Sequence, residues 1–360
     1  MNHTQPNIFK KPAHPFFNST VTYLSIMIAF VGLRIFAQLN LLDFLGDFED
    51  LVYSLLIQVG IIFGLTLLIY KNLTGHSVKQ IFVKFKFKKI SGKAVLLCIG
   101  IGCCLIVLNT AFNSVYTLIL SLFGYAPASS VVTSYTLPAF LLALFSSAVL
   151  PAFCEEFANR GMLLNGLKRL GAKKAILISA LLFALMHLNI GQFGYAFLVG
   201  IFLAFLFLAT GSIWPGIIIH FLNNGIVEYL SFAKVNNLPL GNYYQAFSSL
   251  TSGDFLSSMV LIFVVLFAVL FLFAWFTYLL IKDTRSKRIK TITNEIVENI
   301  SESGAQPTGP IKISVPLNKM GFEVFAKQSC FPTLKAKIPL YCTIVLGTII
   351  TIMTLIWNVI

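Results

Sequence analysis

Residues 255–281 contain no charged side chain. At 1.5 Å per residue, a helix of that length crosses the roughly 30 Å hydrocarbon core of a bilayer with some tilt. Soluble folds rarely bury a helix that is apolar on every face, and further runs in this chain also pass the roughly 18 residues at which an apolar stretch is read as a span. Hydrophobic residues make up 57% of the 360 residues and charged ones 11%. The expected fold is therefore all-α: a polytopic transmembrane helical bundle of about eight core spans plus a C-terminal ninth. The spans are placed near 20–41, 51–70, 94–123, 137–167, 175–190, 193–210, 213–232, 255–281 and 338–360. No small-residue cleavage site follows the first run, which is read as a retained helix and not as a signal peptide.

Orientation follows from the cations in short loops. Residues 71–93 hold seven lysines and no acid; Lys168, Arg169, Lys173 and Lys174 crowd a second loop, and Lys282, Arg285 and Lys287 follow the eighth run. The loop after the first run instead carries Asp43, Asp47, Glu49 and Asp50. Alternation along the chain puts the N-terminus and all basic clusters in the cytoplasm, and the composition leans toward a bacterial plasma membrane. The net charge of +13 does not point to nucleic acid, because the lysines sit beside spans. In residues 81–88 they alternate with aromatics, as in a segment lying on anionic lipid, where each basic residue contributes about 1 kcal/mol.

The reading divides the chain into a cytoplasmic segment 1–19, N-terminal helices 20–136 with the basic interfacial stretch 71–93, a core 137–232, an outer loop and eighth span 233–282, a polar cytoplasmic segment 283–337, and a last helix 338–360. The polar segment, with Pro307, Pro310 and Pro316, is expected to be mostly extended, with room for a hairpin near 311–325. The six cysteines show neither a CxxC pair nor zinc-type spacing and are read as reduced packing residues.

Ionisable residues inside apolar helices are costly, at least about 2.5–3.5 kcal/mol each near the bilayer centre, and mark pairs, cavities or chemistry. Here they are Glu155, Glu156, Arg160, His187 and His220, with Asn159, Asn189, Asn223 and Asn224 as neutral companions and Glu228 near a helix end. Glu155 lies thirteen residues before Lys168 and His187 thirteen after Lys174, so both sit about 20 Å from one face; His220 and Asn224 fall about 12 and 18 Å deep. Glu156 and Arg160 are four apart and share a helix face, as do Phe183 and His187, and His220 and Asn224. Glu155 is left without a same-face cation, which makes His187 its expected partner across helices. A lone His or Asn in a membrane helix is more often an interhelical hydrogen bond worth about 0.6 kcal/mol. Five ionisable groups at one depth on three helices point instead to a site, expected to line a cavity open toward the cytoplasmic side.

The ordered motifs Glu155-Glu156-x-x-x-Arg160, Phe183-x-x-x-His187 and His220-x-x-x-Asn224 resemble the EExxxR, FxxxH and HxxxN signatures of the CAAX-protease and bacteriocin-processing family of intramembrane proteases. Asn159 stands where that family usually has an aromatic residue. The resemblance implies an endopeptidase acting on a membrane-associated peptide or protein, in peptide maturation or bacteriocin self-immunity. Glu155 and His187 would activate water, and His220 and Asn224 would stabilise the oxyanion. Glu156 and Arg160 would hold the first motif, with Phe183 packed beside His187. Glu155, His187 and His220 are also a sufficient zinc set in principle, although no zinc signature is present and metal-free water activation is the favoured reading. Two other classes fit less well: an inactive membrane scaffold, which intact motifs argue against, and a proton-coupled transporter, which should show two pseudo-symmetric halves.

Overall fold

The computed structural model describes residues 14–126, 134–250, 254–302 and 332–357. They form helices α1 (Pro15–Gln38), α2 (Glu49–Thr74), α3 (Val78–Lys84), α4 (Gly92–Ser121), α5 (Leu137–Leu170) and α6 (Ala172–Met186). After these come α7 (Ile190–Thr210), α8 (Trp214–Val235), α9 (Tyr243–Ser249), α10 (Phe255–Glu302) and α11 (Leu334–Trp357). Among the described residues there is no strand. The chain is an integral multi-pass membrane protein built as a helical bundle.

Seven of these helices are long and apolar enough to cross a membrane: α1, α2, α4, α5, α7, α10 and α11. The other two stretches read as spans, α6 and α8, fall outside that set. The 15 residues of α6 reach only about 22 Å, and α8 carries His220, Asn223, Asn224 and Glu228 along its length. Both lie among several neighbours: α6 packs on α5, α7 and α11, and α8 on α4, α5 and α7. A helix that turns one face to several neighbours can carry polar groups on that face, and these two deliver the histidines of the site.

Lipid tails are as apolar as leucine, so the bundle is held by close packing and by hydrogen bonds between helices. Where α4 crosses α8, Gly102 lets the helices approach so closely that a Cβ there would lie 2.8 Å from a methyl of Leu222. At the end of α7, Gly211 adopts a φ of 69°, a left-handed conformation that glycine reaches without strain, and the chain turns back into α8.

The basic stretch after α2, expected to lie on lipid, packs into the bundle. Ser77 and Gln80 close a capping box that starts α3, and Ile81 and Phe85 are fully buried. Phe82, Phe85 and Phe87 surround Phe157 of α5 at centroid distances of 5.5, 4.9 and 6.1 Å. The alternating pattern thus turns its aromatics into the bundle. At the other end of the chain, α10 runs on to Glu302, well into the segment read as extended. Residues 283–302 contain neither Pro nor Gly, and Ile289, Ile292, Ile296 and Ile300 recur at helical spacing. The hairpin considered near 311–325 lies outside the described residues.

Candidate active site

The two glutamates sit on a regular stretch of α5, Leu150–Glu156, between two stretches that depart from regular geometry. The helix widens to i→i+5 turns at Leu144–Val149 and again at Phe157–Leu164, and α2 does so opposite, at Leu56–Leu65. Such turns are rare and concentrate at functional sites. Side chains reach the backbone carbonyls at these stretches: Ser54 Oγ donates to the Ser146 carbonyl at 3.0 Å, Asn224 Nδ2 to that of Ser147 at 3.1 Å, and Asn159 Nδ2 to that of Glu155 at 2.9 Å.

Glu156 is fully buried and doubly engaged. Arg160 Nη1 lies 2.9 Å from its Oε1, and His220 Nδ1 donates to the same oxygen at 3.2 Å. Arg160 is itself 1% exposed; its Nη2 donates to the Gly200 carbonyl at 3.4 Å and its guanidinium stacks 4.4 Å from the Phe183 ring centre. Glu156 therefore does more than neutralise Arg160, because a carboxylate at Nδ1 fixes the orientation and tautomer of the imidazole. Gly216 makes room for it: a Cβ there would stand 2.6 Å from Glu156 Oε2.

Glu155 is placed differently. Its Oε1 accepts a 2.9 Å hydrogen bond from Gln58 Nε2, while its buried Oε2 accepts none and lies 4.0 Å from His220 Nε2. The expected pairing of Glu155 with His187 is replaced by these two contacts. His187 instead donates Nδ1–H to the Phe183 carbonyl at 2.9 Å, which leaves Nε2 of the neutral ring as an acceptor. The Phe183 ring meets both imidazoles edge-on, His187 at 5.1 Å and His220 at 5.8 Å. It packs beside Arg160 and both histidines at once.

Glu155, Phe183, His187, His220 and Asn224 line one cavity of about 780 Å³. Its farther wall is a polar stripe of α4, including Asn109, Asn113 and Thr117. Asn109 Nδ2 donates to Asn223 Oδ1 at 2.5 Å, and Asn223 Nδ2 to Asn224 Oδ1 at 3.0 Å, so Asn224 is held from both ends of its amide. From the glutamates the cavity runs past Gln192 and Glu228 to Tyr244. These residues lie at the start of α7, late in α8 and in α9, away from the basic loops. The expectation of an opening on the basic side is not met.

Three contributors escaped the sequence reading. Gln58 is a buried amide inside an otherwise apolar run, a signal that was available. So was Asn109 in α4. Tyr23 of α1 donates its hydroxyl to Asn159 Oδ1 at 2.9 Å and so brings an aromatic ring against Asn159 from another helix, which no local pattern announces. Asn189 is the N-cap of α7, accepting from the amides of Gly191 and Gln192, and stays outside the site. Among the described residues no three His, Cys, Asp or Glu side chains gather as a metal-binding group. Glu155, His187 and His220 border one cavity without meeting as a three-ligand set.

A multi-pass helical bundle that brings a glutamate and two histidines to one internal cavity holds the side chains that hydrolysis within a membrane needs. Residues 137–226 match the family model described as "Rce1-like: Type II CAAX prenyl endopeptidase Rce1-like", a stretch of about a quarter of the chain that contains all three motifs. The matched stretch is similar to the type II CAAX prenyl endopeptidases, a family of intramembrane proteases. No curated protein and no solved structure matches the chain.

Proposed function

We propose that the protein is an intramembrane endopeptidase in which Glu155 is the general base. The observation that carries this reading is the placement of the glutamates: each keeps one buried oxygen without a hydrogen bond, but Glu155 lines the cavity, whereas Glu156, held through its other oxygen by Arg160 and His220, does not. Water held at that oxygen transfers a proton to Glu155 and attacks the peptide carbonyl, with the His187 Nε2 acceptor orienting it. Asn224 and His220, one turn apart, face the same space and are the groups to meet the developing oxyanion, Asn224 through its amide N–H and His220 through Nε2–H when the ring is the imidazolium, its Nδ1–H being held by Glu156. Losing one such donor costs about 100- to 1000-fold in rate. The proton on Glu155 then passes to the leaving amine. Gln58 holds the carboxylate in place throughout.

The substrate is a membrane-associated peptide or protein, the host a bacterium, and the biological setting peptide maturation or self-immunity to bacteriocins. Anionic lipid is the expected partner of the lysines that flank the inserted aromatics. To test the reading, peptides accumulating in cells that carry Glu155→Ala are compared by mass spectrometry with those in wild-type cells. Uncleaved precursors should build up only in the variant, and identical peptide populations would overturn the assignment.

A further inference from the structure

The two ends of the bundle treat the site in opposite ways. Toward the basic loops it is closed. Phe157, next in sequence to Glu156, packs against Phe63 at 4.8 Å and Phe85 at 4.9 Å, and Phe87 meets Trp214 edge-on at 6.0 Å. The segment carrying these rings is tied down through its own carbonyls: Asn165 Nδ2 donates to that of Lys84 at 3.3 Å, Ile213 N to that of Lys86 at 3.1 Å, and Ser212 Oγ to that of Lys88 at 2.6 Å. Behind this aromatic floor the buried Glu156 and Arg160 pair completes the seal.

At the other end the cavity is open. Ser114, Gln192 and Tyr244 line it and are exposed, and among the described residues its lining contains no Lys or Arg. The stripe of α4 facing the glutamates advances as Asn109, Thr110, Asn113, Ser114 and Thr117, spaced so that all share one helix face. This wall offers hydroxyls and amides to a peptide backbone. A long hydrocarbon chain would leave those groups unsatisfied, at a cost of about 1–3 kcal/mol for each one stripped of water.

Short loops rich in Lys and Arg stay in the cytoplasm, so the closed end is the cytoplasmic one. We propose that the site is fed from the extracytoplasmic face, and that its substrates are polar, extended peptide segments of exported or membrane-anchored polypeptides presented there. The cleavage itself rests on the reading above; the direction of access does not.

The test labels single added cysteines in the full-length chain with a membrane-impermeant maleimide, using the protein with its six native cysteines as the blank. Thr117→Cys, in the cavity wall, should gain label several-fold over the blank in intact cells. Lys174→Cys, in a basic loop, should gain it only after permeabilisation. Label on Lys174→Cys in intact cells would overturn the proposal, and so would label on Thr117→Cys only after permeabilisation or not at all. Repeating the experiment in Glu155→Gln separates the two ideas. The variant should keep the labelling pattern while losing cleavage; the same pattern with cleavage undiminished in Glu155→Gln would remove the protease reading and leave the direction of access standing.

Discussion

Exchanging each glutamate for its amide should have opposite consequences. Glu156 is 0% exposed and is bound by both Arg160 at 2.9 Å and His220 at 3.2 Å. Glu156→Gln leaves the guanidinium buried without a counter-charge, and breaking such a pair costs about 3–5 kcal/mol. At about 2–4 °C per kcal/mol for large domains, the melting temperature in detergent should fall by on the order of 10 °C, with activity lost in step with folded protein. Glu155→Gln keeps the size of the side chain and an oxygen to accept from Gln58. Its melting temperature should stay within about 2 °C of wild type, since less than about 1 kcal/mol is at stake. Its rate should drop by about 10²- to 10⁴-fold, the usual contribution of a general base. Purified variants are compared by thermal shift and by cleavage of a fluorogenic peptide in nanodiscs. A stable, inactive Glu156→Gln beside an active Glu155→Gln would reverse the assignment, and full activity in both would end it.

Gln58→Leu removes the donor that holds Glu155 Oε1; hydrogen bonds to charged groups are worth about 1.5–3 kcal/mol, so the melting temperature should fall by several degrees and kcat of the folded protein should fall roughly 10- to 100-fold with KM little changed, and an unchanged kcat would show that Gln58 does not position the base. Gly216→Ala places a methyl 2.6 Å from Glu156 Oε2, displacing the carboxylate from His220. It should lower both melting temperature and activity, whereas a wild-type melting curve would mean that the carboxylate has room to retreat. Cleavage should survive dialysis against a chelator, because the proposed water activation uses side chains alone. Activity lost on dialysis and restored by added zinc would refute that mechanism.

Much of the bundle was legible because a long uncharged run has few alternatives to a membrane span. Reading failed in degree at α6 and α8, where packing against several neighbours lets a helix be short or carry polar groups. The motif residues Glu155, His187, His220 and Asn224 could be named as one group since charge inside lipid is its own signal and helical rise sets depth. Pairing was harder. Whether Glu155 meets His187 or His220 depends on rotation about helix axes, and i→i+5 turns change that rotation without a sequence mark. The lysine and phenylalanine alternation at 81–88 fits a segment lying on lipid as well as one inserted into the bundle; only the aromatic partners that α5 and α8 present, Phe157 and Trp214, decide which. The direction of the opening followed from that same insertion and was invisible for the same reason.

The widened turns of α5 also bear on how the chain can change. Each residue of a regular helix advances the azimuth by about 100°, and an i→i+5 turn accommodates one residue beyond the regular count. Losing a single residue within Phe157–Leu164 would let the helix relax to regular pitch, swinging Leu163, Leu164 and Leu167, now fully buried, away from α1 and α6 while Glu155 and Glu156 stayed where they are. A change of length here is thus a change of phase between the catalytic half of α5 and the half that anchors it. Substitutions should accumulate in this stretch among related chains long before insertions or deletions do.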